Sequence, residues 1–270
     1  MMSLVYNSDF LADDALRLPP TDRAFQYGDG LFETIRYERG HVWFWRDHMA
    51  RLRAGMTTLH LDFPPDLDAD RLHSQLLDLL ARNQLADTTA RIRLQVWRQP
   101  GGLYTPTTSS ANYLLTARAG HPFASTVKPK ISIYDVVRLH DSPVSALKTL
   151  NSLPYVLAGI YKSQHQLDDV LLLSTAGYLA ECQASNLFWL TNNVLYTPAL
   201  QTGCVDGTAR KQLLRLFPTH EEGLYLPDVL TTANVVFSAN VMGIQVIAGA
   251  FSDEQHTYIL RQFTDPATQG

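Results

Sequence analysis

The sequence predicts an α/β (α+β) protein of two domains: a small N-terminal α/β domain over residues 1–118 and a larger β-rich domain with flanking helices over 124–270. Three observations point there. Helical and alternating apolar periodicities interleave in the first part of the chain. A break carrying Gly120 and Pro122 follows at 119–123, which reads as a linker. Beyond it, short strand-like runs predominate, and 270 residues suffice to bury a core in each part.

Residues 30–38 predict a strand, and Arg39-Gly40 a turn into a second extended run at 42–45. Asp47 is expected to cap a helix reaching about Leu59, because Met49, Leu52, Met56 and Leu59 recur at helical spacing. Residues 68–84 predict another amphipathic helix, with Leu72, Leu76, Leu79 and Leu80 on one face. In 89–98, Ile92, Leu94 and Val96 alternate with Arg91, Arg93 and Gln95, the signature of a strand with one apolar face, and 112–117 is its expected partner. After the break, 130–137, 170–173, 186–190, 235–238 and 244–247 read as strands, with turns at Ala176-Gly177 and Asn192-Asn193. Helices are expected over 147–164, with an irregular start at Pro154, and over 207–216.

Hydrophobic residues make up 46% of the chain and charged residues 18%, a balance that folds into a globule. The net charge of −4, with no run of Lys and Arg, excludes a nucleic-acid face. No apolar stretch approaches the roughly 20 residues that span a bilayer, and residues 1–10 lack the pattern of a secretory leader. Cys182 and Cys204 lie outside any metal-ligand spacing, and the nine histidines form no paired ligand motif, so no metal is expected. Two free thiols suit a reducing cytoplasm. Lysine is scarce, with five in the chain and none before Lys128, so each one invites a reason.

Four segments carry chemistry-bearing residues. Lys148 lies in the apolar setting Val144-Ser-Ala-Leu-Lys-Thr-Leu-Asn151. It is either a packed stem whose head reaches water, or an amine whose charge is disfavoured by burial and which attacks an aldehyde. Glu181 leads small residues into an apolar strand, as a strand-end carboxylate or as the partner of a protonated ring nitrogen. Gly207-Thr208 opens a helix, as an ordinary cap or as an anion site. The run Tyr27-Gly-Asp-Gly-Leu-Phe-Glu-Thr-Ile-Arg36 combines a tight turn with a strand, and Arg51 follows on a helix. It is either a surface residue or a phosphate ligand.

In this order and register the four segments resemble the class IV aminotransferase family, the fold type IV pyridoxal-phosphate enzymes, from Asp22-Arg23 to about Gly249. The resemblance implies that Lys148 attaches the cofactor and moves the substrate proton, and that Glu181 holds the pyridine nitrogen. Arg51, Gly207, Thr208, Ser238 and Ala239 would form the phosphate cup. Tyr27, Arg36, Arg98 and Tyr104 are the substrate-binding candidates, for a small-molecule amino substrate. A homodimer is implied, in which the 98–104 loop serves its own or the partner's site. Within the family, residues 181–189 and Tyr196-Thr197-Pro198 look most like the 4-amino-4-deoxychorismate lyases; an aminotransferase of branched-chain or D-amino acids is the alternative. The chain departs from the lyase pattern at Leu103, where that pattern carries Arg, and at Arg98-Gln99, where it carries Arg-Gly. The Arg-x-His pattern of D-amino-acid aminotransferases is absent.

Overall fold

The computed structural model describes residues 2–268. The chain packs as two compact units: residues up to Pro122 with Leu147–Asn151, and Phe123–Ala146 with everything from Ser152 on. This departs from the expected division at the most consequential point, because the segment bearing Lys148 belongs with the N-terminal unit.

In the first unit, β1 (Ser3–Tyr6), β2 (Asp9–Ala12), β3 (Gly30–Glu38), β4 (His41–Val42), β5 (Ala90–Arg98) and β6 (Ala111–Ala119) form an antiparallel sheet in the order β2-β1-β6-β5-β3-β4. The helices are α1 (Arg23–Tyr27), α2 (Trp45–Thr58) and α3 (Ala69–Arg82). One sheet face sends Ile35, Ile92, Leu94, Val96 and Leu115 into a core shared with Met49, Leu52 and Met56 of α2 and Leu72, Leu76 and Leu79 of α3. Strand alternation turns Phe32, Arg93 and Gln95 to the opposite face. The extended run expected at 42–45 is shorter: Phe44 adopts a left-handed φ of 56°, which ends the extension and starts α2 at Trp45.

Strand β4 pairs only with Tyr37 and Glu38, so it leaves the early part of β3 to another partner. Leu147–Asn151 takes that edge. Phe32 N donates to Lys148 O (2.8 Å), Leu150 N donates to Gly30 O (2.9 Å), and Leu31 bridges Thr149 in antiparallel fashion. Residues 147–151 therefore pair with β3 instead of forming helix, and the helix expected from 147 begins at Leu153, with Pro154 in its first turn where the missing N–H is tolerated.

The second unit contains β7 (Ala124–Val127), β8 (Ile131–Leu139), α4 (Leu153–Gln164), β9 (Asp169–Ser174), β10 (Leu179–Cys182), β11 (Asn186–Thr191), β12 (Val194–Pro198), α5 (Thr208–Leu216), β13 (His220–Gly223), β14 (Val235–Asn240), β15 (Gly243–Gly249) and α6 (Asp253–Thr264). The sheet runs β7-β15-β14-β11-β10-β9-β8, and β12 pairs with β11 and β13. Pairs β7·β15, β8·β9 and β12·β13 are parallel and the others antiparallel. Strand β9 is buried on both faces: Leu171 and Leu173 join Leu187 and Trp189, while Val170 and Leu172 join Tyr134 and Ala158 of α4. This explains its unbroken apolar run.

Candidate active site

In the first unit, pairing with β3 brings Lys148 beside the strand that carries Phe32 and Glu33. Lys148 is half-buried, with Nζ 4.5 Å from the centre of the Phe32 ring. A small hollow is lined by Leu31, Phe32, Glu33, Arg51, Leu52, Leu147 and Lys148, so two of the residues singled out by sequence meet there. Arg51 is held from behind. Its Nε donates to Glu33 Oε1 (2.7 Å) and its Nη2 to Oε2 (2.5 Å), the bidentate geometry available to a planar guanidinium. His48, one turn earlier on α2, bonds the same Oε2 through Nδ1 (2.6 Å). Burial pushes the Glu33 carboxyl up, but Arg51 and His48 outweigh it and hold the group at about 2.

Arg93, not among the expected site residues, lies with its guanidinium carbon 4.0 Å from the centre of the same Phe32 ring. Burial and the neighbouring Arg91 push its pKa down, and among the described residues it has no ion-pair partner. A half-buried guanidinium of this kind is ready for a carboxylate. The alternation of 89–98 held the signal, since it separates Arg91 and Arg93 from the apolar face.

Two other arginines expected at the site have protein partners of their own. Arg98 donates to Asp29 Oδ2 (3.0 Å) and to the carbonyls of Leu59 (2.6 Å), His60 (3.2 Å) and Thr108 (3.3 Å). It therefore caps the end of α2 and holds the turn at Asp29. Arg36 is fully buried, pairs with Glu38 (2.9 Å) and lies 4.4 Å over Trp43. Burial lowers its pKa to about 10 even beside Glu38, so this guanidinium is also committed inside the unit. Arg23 bonds Asp29 (2.7 Å) and the carbonyls of Gly101, Gly102 and Leu103, and so shapes the loop at Tyr104. Tyr27 lies under Arg23 at 4.7 Å and against Tyr104 at 5.6 Å between ring centres, and Tyr104 is 91% exposed. The sharp turn before β3 uses Gly28 in the left-handed region (φ 60°), where its carbonyl accepts from Asn151 Nδ2 (3.2 Å).

In the second unit, a register shift between Leu179 and Glu181 interrupts the β9·β10 ladder immediately before the buried carboxylate. Glu181 Oε1 accepts from Tyr155 Oη (2.6 Å), and Oε2 accepts from Val205 N (3.2 Å) and Asn186 Nδ2 (3.3 Å). Asn186 also donates to Val205 O (2.7 Å), and its Oδ1 lies 2.0 Å from where a Cβ on Gly207 would stand, so a side chain there would have to displace the amide. Across the sheet Glu181 pairs with Asn186, which pairs in turn with Ala239. Ser238 is fully buried, with Oγ 3.0 Å from Gln245 Oε1. Helix α5 starts at Thr208 behind Gly207, which has no side chain to cap it.

The Tyr155 phenol is held protonated by burial and then by the charge of Glu181, and the same two causes push the Cys204 thiol up to about 12. Both cysteines are free and buried. Ser185, in the turn between Glu181 and Asn186, buries an Oγ with no hydrogen-bond partner among the described residues. An acceptor carboxylate ringed by donors, an uncapped helix start and an orphaned hydroxyl suit a group carrying a protonated ring nitrogen and a phosphate. Pyridoxal phosphate therefore fits the residues present. No group of three or more metal-ligating side chains occurs among the described residues, and no described helix is long and apolar enough to cross a membrane.

The sequence is 27% identical over 250 residues to an aminodeoxychorismate lyase of Vibrio harveyi, covering 88% of this chain and 89% of the relative. It is 28% identical over 246 residues to a putative branched-chain-amino-acid aminotransferase of Methanocaldococcus jannaschii, covering 90% and 83%. The fold is similar to that of the Escherichia coli branched-chain amino acid aminotransferase, with a TM-score of 0.87 at 20% identity over 100% of this chain and 96% of that one. It is also similar to the 4-amino-4-deoxychorismate lyase of Pseudomonas aeruginosa, with a TM-score of 0.76 at 24% identity over 93% and 96%. The profile of amino-transferase class IV matches residues 30–249, spanning β3 to β15 with both polar clusters, and the chain belongs to that pyridoxal-phosphate-dependent enzyme family.

Proposed function

We propose that the protein is a pyridoxal-phosphate-dependent 4-amino-4-deoxychorismate lyase, which releases pyruvate and leaves 4-aminobenzoate, a step of folate biosynthesis. The observation that carries this reading is the run Glu181-Cys-Gln-Ala-Ser-Asn-Leu-Phe-Trp189 with Tyr196-Thr197-Pro198, in a chain 27% identical to a lyase over most of its length. When bound, pyridoxal phosphate supplies an electron sink for the charge left at the amine-bearing carbon.

The chain's own residues then have distinct tasks. Lys148 Nζ would hold the cofactor and would take the proton from the amine-bearing carbon of the substrate. Loss of that proton would let the bond between the ring carbon and the enolpyruvyl oxygen break, and Lys148 would return the proton to the methylene carbon of the released enolpyruvate, giving pyruvate and an aromatic ring. Glu181 keeps a proton on the pyridine nitrogen. Arg51 binds phosphate with Gly207, Thr208 and the first turn of α5. Ser238 and Ala239 contribute through backbone, because Gln245 occupies the Ser238 hydroxyl. Arg93 takes a substrate carboxylate in place of Arg98 and Arg36, and Tyr27 and Tyr104 offer it an aromatic wall.

An amino-acid aminotransferase using 2-oxoglutarate is the second reading, supported by 28% identity to a putative branched-chain enzyme. One assay separates them. With aminodeoxychorismate and no keto acid, 4-aminobenzoate and pyruvate are expected; turnover that needs 2-oxoglutarate overturns the lyase. Lys148→Ala is expected to lose the long-wavelength absorbance of lysine-bound cofactor. We further place the enzyme in the cytoplasm, where two free thiols stay reduced, as a homodimer. Gel filtration at the mass of one chain with full activity sinks the dimer.

A further inference from the structure

We propose that Tyr155 is a positioning residue that fixes where the proton rests between Glu181 and the pyridine nitrogen; this rests on the reading of Glu181 given above. Tyr155 lies in the first turn of α4, and its Oη donates to Glu181 Oε1 at 2.6 Å, shorter than the bonds from Val205 N and Asn186 to the other oxygen. The phenol is itself held in place. Gln183, two residues beyond Glu181, donates from Nε2 to the Tyr155 carbonyl (3.3 Å). The same Nε2 lies 2.3 Å from where a Cβ on Gly159 would stand, so the absence of a side chain there lets the Glu181 segment clasp the helix.

A carboxylate facing a pyridine shares one proton with it, and two arrangements compete. Burial favours the neutral pair, carboxylic acid and unprotonated ring, because it leaves no charge in a low-dielectric setting. A phenol donating to the carboxylate favours the charged pair, because it stabilises the ionised oxygen. Tyr155 thus opposes burial and keeps the ring an electron sink. Cys204 and Cys182, near this carboxylate, are buried thiols held neutral and do not compete with the phenol; beyond them Asp169 is paired with Lys128 (2.6 Å) and Asp206 with Lys211 (3.0 Å).

The test loads wild-type protein, Tyr155→Phe and Glu181→Gln with pyridoxal phosphate labelled with nitrogen-15 in the ring, and follows the ring signal against pH. Each apoprotein is also titrated with the cofactor and with its 1-deaza analogue, which has CH in place of the ring nitrogen. Tyr155→Phe is expected to lower the pH at which the ring loses its proton by about one unit or more, the scale of a charge-assisted hydrogen bond. It should lower kcat more than it changes KM. 3-Fluorotyrosine at 155, a more acidic phenol, is expected to raise that pH, and it serves if the Phe variant does not fold. If Glu181→Gln moves the midpoint but neither Tyr155 substitution does, the positioning role is overturned. If Glu181→Gln moves neither the midpoint nor the preference for cofactor over the deaza analogue, the reading of Glu181 fails instead.

Discussion

Glu33 is the residue on which the proposed phosphate ligand depends, because Arg51 and His48 both converge on its carboxylate. Its folded pKa of about 2 lies below the ordinary 4.5, so the group contributes stability above about pH 4.5 that is lost as pH falls toward 2. The contribution is on the order of 3 kcal/mol for a fully buried group. Glu33→Gln is therefore expected to lower the stability of the apoprotein at pH 7 and to flatten its acid limb between pH 4.5 and 2, as read by urea unfolding at several pH values. An unchanged acid limb contradicts the assignment. Arg93 yields a second expectation: Arg93→Gln should raise KM roughly ten-fold or more, as loss of a charged hydrogen bond would, while cofactor affinity stays put. An unchanged KM removes Arg93 from the substrate site. Sequence singles out Lys148 and Glu181 only through the order of four segments taken together, since each segment alone also fits a structural role. It could not sort Arg93 from Arg98, since the acceptors that occupy Arg98 lie on Asp29 and on the end of α2, far away in the chain.

At the scale of elements, strands and helices with clean periodicity were legible and edges were not. Residues 30–38 and 89–98 follow their alternation, and α3 follows its leucine stripe from Asp68, whose side chain caps it. The segment 147–151 reads as helix because its apolar residues are compatible with either periodicity; an open edge on β3 decides for the extended form, and no local pattern records an open edge. The strand β13, His-Glu-Glu-Gly, carries no apolar alternation at all and exists because β12 offers it a parallel partner. The start of α5 illustrates the same dependence on distant context. Gly207 reads as a helix cap, yet the side chain it accommodates belongs to Asn186. Gly207→Ala is expected to displace that amide from Glu181 and Val205, costing about 1–3 kcal/mol as an overpacked site does and weakening cofactor binding as well. Calorimetry of the apoprotein and a cofactor titration check the two effects. Wild-type values in both would show that Asn186 gives way freely.

At the scale of the molecule, the two units bury their sheets differently, and the alternation of their strands reflects it. The first packs helices on one face of an antiparallel sheet, so its strands alternate; the second buries β9 on both faces, so that strand does not. What composition could not reveal is that the Lys148 segment would be assigned by packing to the unit that precedes it in the chain. A ligand that binds only the native state stabilises it by about 2.7 kcal/mol at a hundred times its Kd. For a chain of this size that corresponds to a rise of about 5 °C in the unfolding midpoint. Pyridoxal phosphate added to the apoprotein is expected to give that rise in a calorimetric scan. Pyridoxal without its phosphate should give less at equal concentration, because the proposed phosphate contacts are then lost. Equal shifts for the two compounds would remove the phosphate cup from the account, and no shift for either would remove the cofactor.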